Sequence, residues 1–131
     1  MTDKSLDRSR HSEYSTTIAE GLLTANNYPL DKIELVKKCI YNHSNKRKDY
    51  RTTLEEQILV DADCLSHFDN ILSLYSLARN VMELNEHESI KFVQEKLTKD
   101  YSKMTDETKI IIRNKHNQIM SISTYEEIKE L

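Results

Sequence analysis

The chain has 131 residues, of which 37% are hydrophobic and 31% charged, and its formal net charge is -3. This composition is typical of one globular domain, and a mean hydropathy of -0.69 favours a polar surface and a soluble, cytoplasmic protein. The negative charge gives no general attraction to nucleic acid or to an anionic membrane, so neither is expected as a partner.

The chain contains only one glycine and one proline, which favours helices joined by polar connections over tight turns. No apolar run approaches the roughly 20 residues that cross a bilayer, and the charged first ten residues do not suit a secretory signal. Cys39 and Cys64 lie among apolar residues without the spacing of a zinc or redox motif, so we predict two buried free thiols.

Residues 1–10 lack an apolar period and are expected to fray. The first predicted helix covers 13–25 and stops at Asn26-Asn27. The residues that recur at helical spacing in it are Ser15, Ile18, Ala19, Leu22 and Leu23. Asp31 can cap a second helix that ends near Asn42-His43. The apolar positions of that helix are Ile33, Leu35, Val36, Cys39 and Ile40.

Residues 44–51 are polar, basic and aperiodic, which predicts an exposed loop. Thr53-x-x-Glu56 then forms a capping box for a third helix. The apolar face of that helix is predicted to be Ile58, Leu59, Ala62 and Leu65. Further apolar residues either extend this helix or begin a fourth one after 67–69: Phe68, Ile71, Leu72, Tyr75, Ala78, Val81 and Met82.

Two further helices are marked by apolar spacing. One carries Ile90, Val93, Leu97 and Tyr101. The other opens at Thr105-Asp106 and carries Ile110, Ile111, Ile112, Ile119, Met120 and Ile122. Ser123-x-x-Glu126 is a second capping box, for a short terminal helix. We therefore predict one all-α domain over residues 1–131, an array of six or seven helices. Tyr14, Tyr41 and Tyr75 are predicted to lie in its core.

Two aspartates interrupt the apolar pattern of the third helix. Burying a carboxylate without a partner is costly, so a core-facing aspartate is normally hydrogen-bonded, ion-paired or metal-bound. Asp61 and Asp63 lie about 200° apart around a helix, so both cannot face inward. We expect Asp63 to be the inward one. A helix-terminal aspartate satisfied by the backbone or by a cation is the alternative.

Three segments together resemble the HD phosphohydrolase superfamily. They are HSEYSTTIAE at 11–20, KCIYNHS at 38–44 and the TLE…ILVDADCL string that begins at Thr53, and they occur in the superfamily's order. The resemblance covers residues 11–75, whereas residues 76–131 match the C-terminal helices of small bacterial members only loosely. It implies an all-α fold that binds divalent metal, such as Mn, Mg, Fe, Co or Ni, and hydrolyses phosphate esters, often of nucleotides.

The resemblance assigns metal binding to Asp63, His11 and His43. Asp63 matches the last aspartate of the signature, and His43 matches the histidine that ends the preceding helix. In multi-metal members the two histidines resemble ligands of an additional metal, and in single-metal members they more often approach substrate phosphate. The basic residues Lys46, Arg47 and Arg51 follow His43 and are predicted to steer a phosphate. A solvated loop is the alternative for this run.

The His-Asp pair that names the superfamily does not occur in these 131 residues. Alignment places that pair and an earlier histidine before Met1, so we expect an HD domain whose N-terminal portion is absent. The second hypothesis is a non-catalytic helical remnant that binds a nucleotide or a protein. The third is an unrelated helical interaction module. A homodimer would be one way to cover apolar faces left bare. His67, His87 and His116 are predicted to be ordinary surface residues.

Overall fold

The protein is all-α in the computed structural model, which describes residues 10–44 and 51–131. Within this part of the chain there are seven helices and no strand, which confirms the predicted fold class. The helices are α1 (His11–Ala25), α2 (Leu30–Asn42), α3 (Leu54–Asp69), α4 (Ile71–Asn80), α5 (Glu86–Lys103), α6 (Asp106–Met120) and α7 (Tyr125–Lys129).

The chain divides into two compact units, Met1–Val60 and Asp61–Leu131. In the first unit α1 packs on α2 as a helical hairpin. Asn27 ends α1 in the left-handed conformation with φ 55°, and the amides of Asn27 and Tyr28 bond to the carbonyls of Thr24 and Leu23. This is the Schellman arrangement, in which asparagine is tolerated at the left-handed position. The predicted stop at Asn26-Asn27 is therefore confirmed.

The residues whose spacing predicted α1 differ in burial. Ile18 and Leu22 are exposed, whereas Ala19 and Leu23 are half-buried. Helix α1 is apolar on both sides, and periodicity alone does not say which side packs on α2. In α2 the predicted stripe is confirmed, with Ile33 and Cys39 buried.

Helix α3 begins with the predicted capping box, since Thr53 N donates to Glu56 Oε2 and Glu56 N donates to Thr53 Oγ1. Its buried apolar positions are Val60, Cys64 and Phe68, one helical turn apart. The predicted apolar face was wrong: Ile58, Leu59 and Ala62 are exposed and Leu65 is half-buried. Ile58, Leu59 and Val60 are consecutive, so the sequence offers more than one apolar side.

In the second unit α5 packs on α4 and α6, and α7 packs on α4. The break between α3 and α4, which the sequence left open, falls at Asn70. The buried apolar residues of the second unit are Cys64, Phe68, Ile71, Tyr75, Ala78, Ile90, Val93, Leu97, Met104, Ile119 and Ile128. Both cysteines are buried free thiols, as predicted.

Three helices of the second unit start at side-chain caps. Asn85 forms a capping box with Glu88 for α5, and the predicted Thr105 cap of α6 is confirmed. The capping box of α7 is Thr124 with Glu127, one residue after the predicted pair. Each cap satisfies an amide that the first helical turn leaves without a partner inside the helix.

The three tyrosines predicted to be core residues have different environments. Tyr75 is buried and stacks on Tyr125, with ring centroids 4.9 Å apart. Tyr14 and Tyr41 are exposed, so the prediction was wrong for both. A tyrosine is amphipathic, and its position on an apolar stripe therefore does not fix its burial.

Among residues 10–44 and 51–131, no helix combines the length and apolar character that crossing a membrane requires. The cytoplasmic location stays a prediction.

Candidate functional site

Two of the predicted metal ligands lie side by side in the first unit. His11 is the first residue of α1, and His43 is the C-cap residue of α2. Their imidazole rings meet edge to face, with centroids 5.5 Å apart and an interplanar angle of 85°. Two imidazoles that bind one ion at about 2.1 Å have ring centroids roughly 5 Å apart, and ordinary edge-to-face ring pairs lie roughly 4.5–7 Å apart, so the observed separation is compatible with both arrangements.

The hydrogen bond of His43 fixes which of its ring nitrogens can bind a metal. Nδ1 of His43 bonds to the carbonyl oxygen of Ile40. A carbonyl only accepts, so Nδ1 carries the proton and Nε2 of the neutral ring keeps its lone pair. A backbone carbonyl that orients a histidine in this way is the usual second partner of a metal-binding imidazole.

Two hydroxyl groups join the ends of α1 and α2 beside the histidines. Ser12 is buried, and its Oγ lies 2.7 Å from Oγ of Ser44 and 3.4 Å from Nε2 of His11. The bond between Ser12 and Ser44 ties the start of α1 to the residue that follows the C-cap of α2. It therefore helps to hold the two imidazoles at their observed separation.

Asp63 is half-buried on α3 and belongs to the second unit. Asp61 is the aspartate that is hydrogen-bonded to α6. It accepts hydrogen bonds from Thr105 N at 3.0 Å and from the hydroxyls of Thr105 and Thr108. Asp61 thereby fixes the start of α6 against α3. The expectation that Asp63 is the inward aspartate was wrong, and its part in a metal site stays a prediction.

The predicted phosphate-binding residues are only partly within the described chain. Lys46 and Arg47 lie outside the described residues. Arg51 is described and is 7% exposed, so the expectation that it lies on an exposed loop was wrong. It directly precedes Thr52 and Thr53, whose amides bond to the buried carboxylate of Glu56. Its role toward phosphate stays a prediction.

Glu56 is a buried carboxylate whose full set of partners the sequence did not reveal. It is 1% exposed, and it accepts hydrogen bonds from Asn42, from the amides of Thr52 and Thr53 and from the Thr53 hydroxyl. Lys38 Nζ lies 3.5 Å away. Burial alone would raise the pKa of Glu56, but these hydrogen bonds outweigh it and lower the pKa to about 2. Glu56 is therefore ionised at neutral pH, and its carboxylate links α2 to the start of α3 through hydrogen bonds.

A second polar cluster in the second unit joins α3 to α5. Asp100 is 1% exposed, and its carboxylate binds Lys96 at 2.8 Å and His67 Nδ1 at 2.9 Å. His116 stacks on Tyr101 with centroids 4.3 Å apart, and burial lowers the pKa of its ring. His67 and His116 were thus wrongly predicted to be ordinary surface residues, whereas His87 is exposed as expected.

Within residues 10–44 and 51–131 no group of three or more His, Cys, Asp or Glu side chains is placed to hold one ion. Of the predicted ligands, His11 and His43 are in ring contact, and Nδ1 of His43 is the nitrogen bonded to the Ile40 carbonyl. Comparison of the chain with protein-family models, curated proteins and solved structures gave no match.

Proposed function

We propose that the chain carries part of a divalent-metal site of the HD phosphohydrolase type, with His11, His43 and Asp63 as ligands. The site would act on a phosphate ester or a nucleotide. The observation that carries the proposal is the contact between the imidazoles of His11 and His43, which belong to two different helices. The sequence resemblance points to the same two residues independently of their distance.

The residues of the first unit supply orientation and donors. Ile40 holds the ring of His43 so that Nε2 is the donor atom, and the hydroxyls of Ser12 and Ser44 hold the helix ends beside it. When bound, a divalent metal polarises a phosphoryl group and lowers the pKa of a coordinated water. Lys46 and Arg47 are proposed to attract the phosphate through their charge.

Metal binding is the activity proposed for this chain by itself. These 131 residues contain no His-Asp dipeptide, so the complete ligand set that the resemblance implies is not among them. We therefore expect metal binding from this chain, and hydrolysis only together with a segment that supplies the His-Asp pair.

Titration of the purified chain with Mn²⁺ and Co²⁺ in a calorimeter tests the metal site. Each of His11→Ala, His43→Ala and Asp63→Asn is expected to weaken binding by about tenfold or more, because a lost ligand removes one coordinate bond. The matched controls are His87→Ala and Asp106→Asn, which change exposed residues of the same types. Both controls are expected to bind as the unchanged chain does.

The outcome separates the parts of the proposal. Equal affinity for the histidine variants and the His87→Ala control would refute the histidine pair as a metal site. Weakening by the histidine variants without weakening by Asp63→Asn would remove Asp63 from the ligand set alone. Hydrolysis of bis(p-nitrophenyl) phosphate by the chain alone would contradict the need for the His-Asp pair.

A non-catalytic helical module that binds a nucleotide is the second candidate. The observation that favours it is an open cleft of about 620 Å³ in the first unit, lined partly by Lys38, Tyr41 and Asn42. Tyr41 is 56% exposed and offers a ring face for a base, and Lys38 offers a cation for a phosphate. Binding of ATP or GTP without metal, weakened by Tyr41→Ala and unaffected by Tyr28→Ala, would favour this candidate.

A further inference from the structure

His116 on α6 has a ring nitrogen that is buried without a hydrogen-bond partner. Its Nε2 atom is shielded from solvent and meets no donor or acceptor among residues 10–44 and 51–131. A buried polar atom of this kind is uncommon, because nothing replaces the hydrogen bond to water that folding removes. The site therefore suits a neutral imidazole and offers no acceptor for a proton on Nε2.

Aromatic rings from two other helices of the second unit contact this imidazole. Tyr101 of α5 stacks on it, with centroids 4.3 Å apart and an interplanar angle of 10°. Phe68 of α3, which is fully buried, lies with its ring centroid 6.2 Å from that of His116. Stacking of this kind is favourable for a flat, uncharged ring. The neutral ring of His116 therefore helps to hold α6 on α3 and α5.

The cations near the imidazole oppose a positive charge on it. Lys109 of α6 already places its ammonium 5.9 Å from the centroid of the Tyr101 ring. A cation on an aromatic face is attractive by itself, but a protonated His116 would be a second cation against the same ring. Arg113 and Lys115 are further cations of α6, both within three residues of His116. Like charges of this kind disfavour the protonated form.

The two carboxylates that adjoin the contacting rings in sequence have other partners. Asp69 of α3 binds Lys115 at 3.1 Å. Asp100 of α5 binds Lys96 at 2.8 Å and the Nδ1 atom of His67 at 2.9 Å. Neither carboxylate forms an ion pair with the stacked imidazole. A positive charge on that ring would therefore lose its hydration without gaining a counter-ion.

Helix α6 has few buried contacts that would resist its release. Among its residues, all of which the structure describes, Ile119 is the one that is buried. Ile110 is 64% exposed and Ile111 78%. The start of the helix is held by the hydrogen bonds that Asp61 accepts from Thr105 and Thr108. An element with so little buried apolar surface opens at a lower free energy than the unit as a whole.

We propose that protonation of His116 releases α6 from α3 and α5, which makes this helix the acid-sensitive element of the second unit. The neutral ring packs on Tyr101 and Phe68. The protonated ring carries both a charge and an N–H on Nε2, and the packed helix offers a partner to neither. Release lets water hydrate the ring and moves its charge away from Lys109. The proposal is independent of the metal site, because it rests on α6 and the rings that contact it.

The pH range of the release follows from the two forms of the ring. Burial lowers the pKa of His116 below its ordinary value of 6.5, and no charge of the described residues contributes to the lowering. In the released helix the ring regains its ordinary pKa. Release therefore becomes more favourable as the pH falls below 6.5, and the effect levels off below the pKa of the packed ring. At pH 5 the equilibrium constant for release is expected to exceed its value at pH 7.5 by at most about 30-fold.

Hydrogen exchange of the whole chain at pH 7.5 and pH 5, measured by mass spectrometry and corrected for the intrinsic exchange rate, tests the release. The opening constant of the α6 amides is expected to rise severalfold, up to about 30-fold, in the unchanged chain. His116→Phe keeps a flat ring that cannot be protonated, so it is expected to show no such rise. The control His87→Phe removes an exposed histidine of α5 and is expected to respond as the unchanged chain does.

Three results of this experiment would overturn the proposal. The first is an opening constant of α6 that is the same at both pH values. The second is a rise that persists in His116→Phe, because the acid response would then belong to another group, such as Asp61. The third is an equal rise for the amides of α4, because the whole unit would then lose stability instead of releasing one helix.

Nuclear magnetic resonance of the unchanged chain gives a test that needs no substitution. The ring protons of His116 are expected to titrate with a midpoint below 6.5. Nuclear Overhauser contacts between the rings of His116 and Tyr101 are expected to disappear with the same midpoint, because release separates the two rings. Contacts that persist after His116 is protonated would show that the charged ring stays on α5, and they would contradict its release.

Discussion

Replacing Glu56 with glutamine removes a buried negative charge while keeping the size of the side chain. In the native protein this carboxylate accepts bonds from Asn42, Thr52 and Thr53, and Lys38 lies nearby. A glutamine amide can accept with only one of its two terminal atoms. Its NH₂ group would therefore face backbone and side-chain donors that are already directed at an acceptor.

The pKa of Glu56 gives the size of the effect. Burial raises this pKa, but the hydrogen bonds lower it to about 2, against an ordinary value of 4.5. At about 1.4 kcal/mol per pKa unit, the difference corresponds to about 3 kcal/mol of stability at neutral pH. Because the folded-state pKa is the lower one, this stability is present above 4.5 and is lost as the pH falls toward 2. At pH 3 roughly three-fifths of it is gone.

Urea unfolding followed by circular dichroism measures the change. Glu56→Gln is expected to lower the free energy of unfolding by about 3 kcal/mol at pH 7 and by only about 1 kcal/mol at pH 3. The control is Glu55→Gln, the neighbouring exposed carboxylate on the same helix, which is expected to change stability by less than about 0.5 kcal/mol. Equal effects of the two variants at pH 7, or a Glu56→Gln deficit that does not shrink at pH 3, would refute the reasoning.

Three further outcomes follow from burial and hydrogen bonding. Asp61→Asn is expected to lose about 2 kcal/mol of stability in urea unfolding, because an amide cannot accept all the bonds that the carboxylate accepts. The control Asp63→Asn is expected to lose less than about 0.5 kcal/mol. Phe68→Ala is expected to lose about 4 kcal/mol, whereas Leu72→Ala, at a residue 49% exposed, should lose less than about 1 kcal/mol. Burial raises the pKa of the Cys64 thiol to about 11, so iodoacetamide should alkylate this thiol only after unfolding. Mass spectrometry detects the alkylation, and rapid labelling of the native chain would contradict the burial of Cys64.

The sequence predicted which segments are helical better than it predicted which sides of them are buried. The stop of α1 at Asn27 and the caps at Thr53 and Thr105 depend on local chemistry, which a short sequence window contains. The capping box of α7 was misplaced by one residue because Ser123 and Thr124 are each followed by a glutamate three residues later.

The buried sides of α1 and α3 could not be predicted in the same way. Each helix is apolar on more than one side, and the side that is buried is fixed by residues distant in sequence. The same limit applies to polar contacts: the capping box identified Glu56, but its bond to Asn42 depends on how α2 meets α3. The Lys96 to Asp100 spacing is local, whereas the bond from His67 to Asp100 joins two helices.

For the candidate site, helical periodicity did not place His11 beside His43. Only the resemblance to a known superfamily grouped them, and the 5.5 Å separation of their rings supports that grouping. Lys46 and Arg47 lie outside the described residues, so the phosphate-binding hypothesis depends on the sequence alone.

The proposed metal site is tested most directly by nuclear magnetic resonance of the five histidine rings while Mn²⁺ is added. A paramagnetic ion broadens the resonances of nearby nuclei, so the ring protons of His11 and His43 are expected to broaden at the lowest Mn²⁺ concentrations, with His87 on α5 as the internal reference. Equal broadening of all five histidines, or broadening of His87 before His11 and His43, would contradict a metal site at the histidine pair.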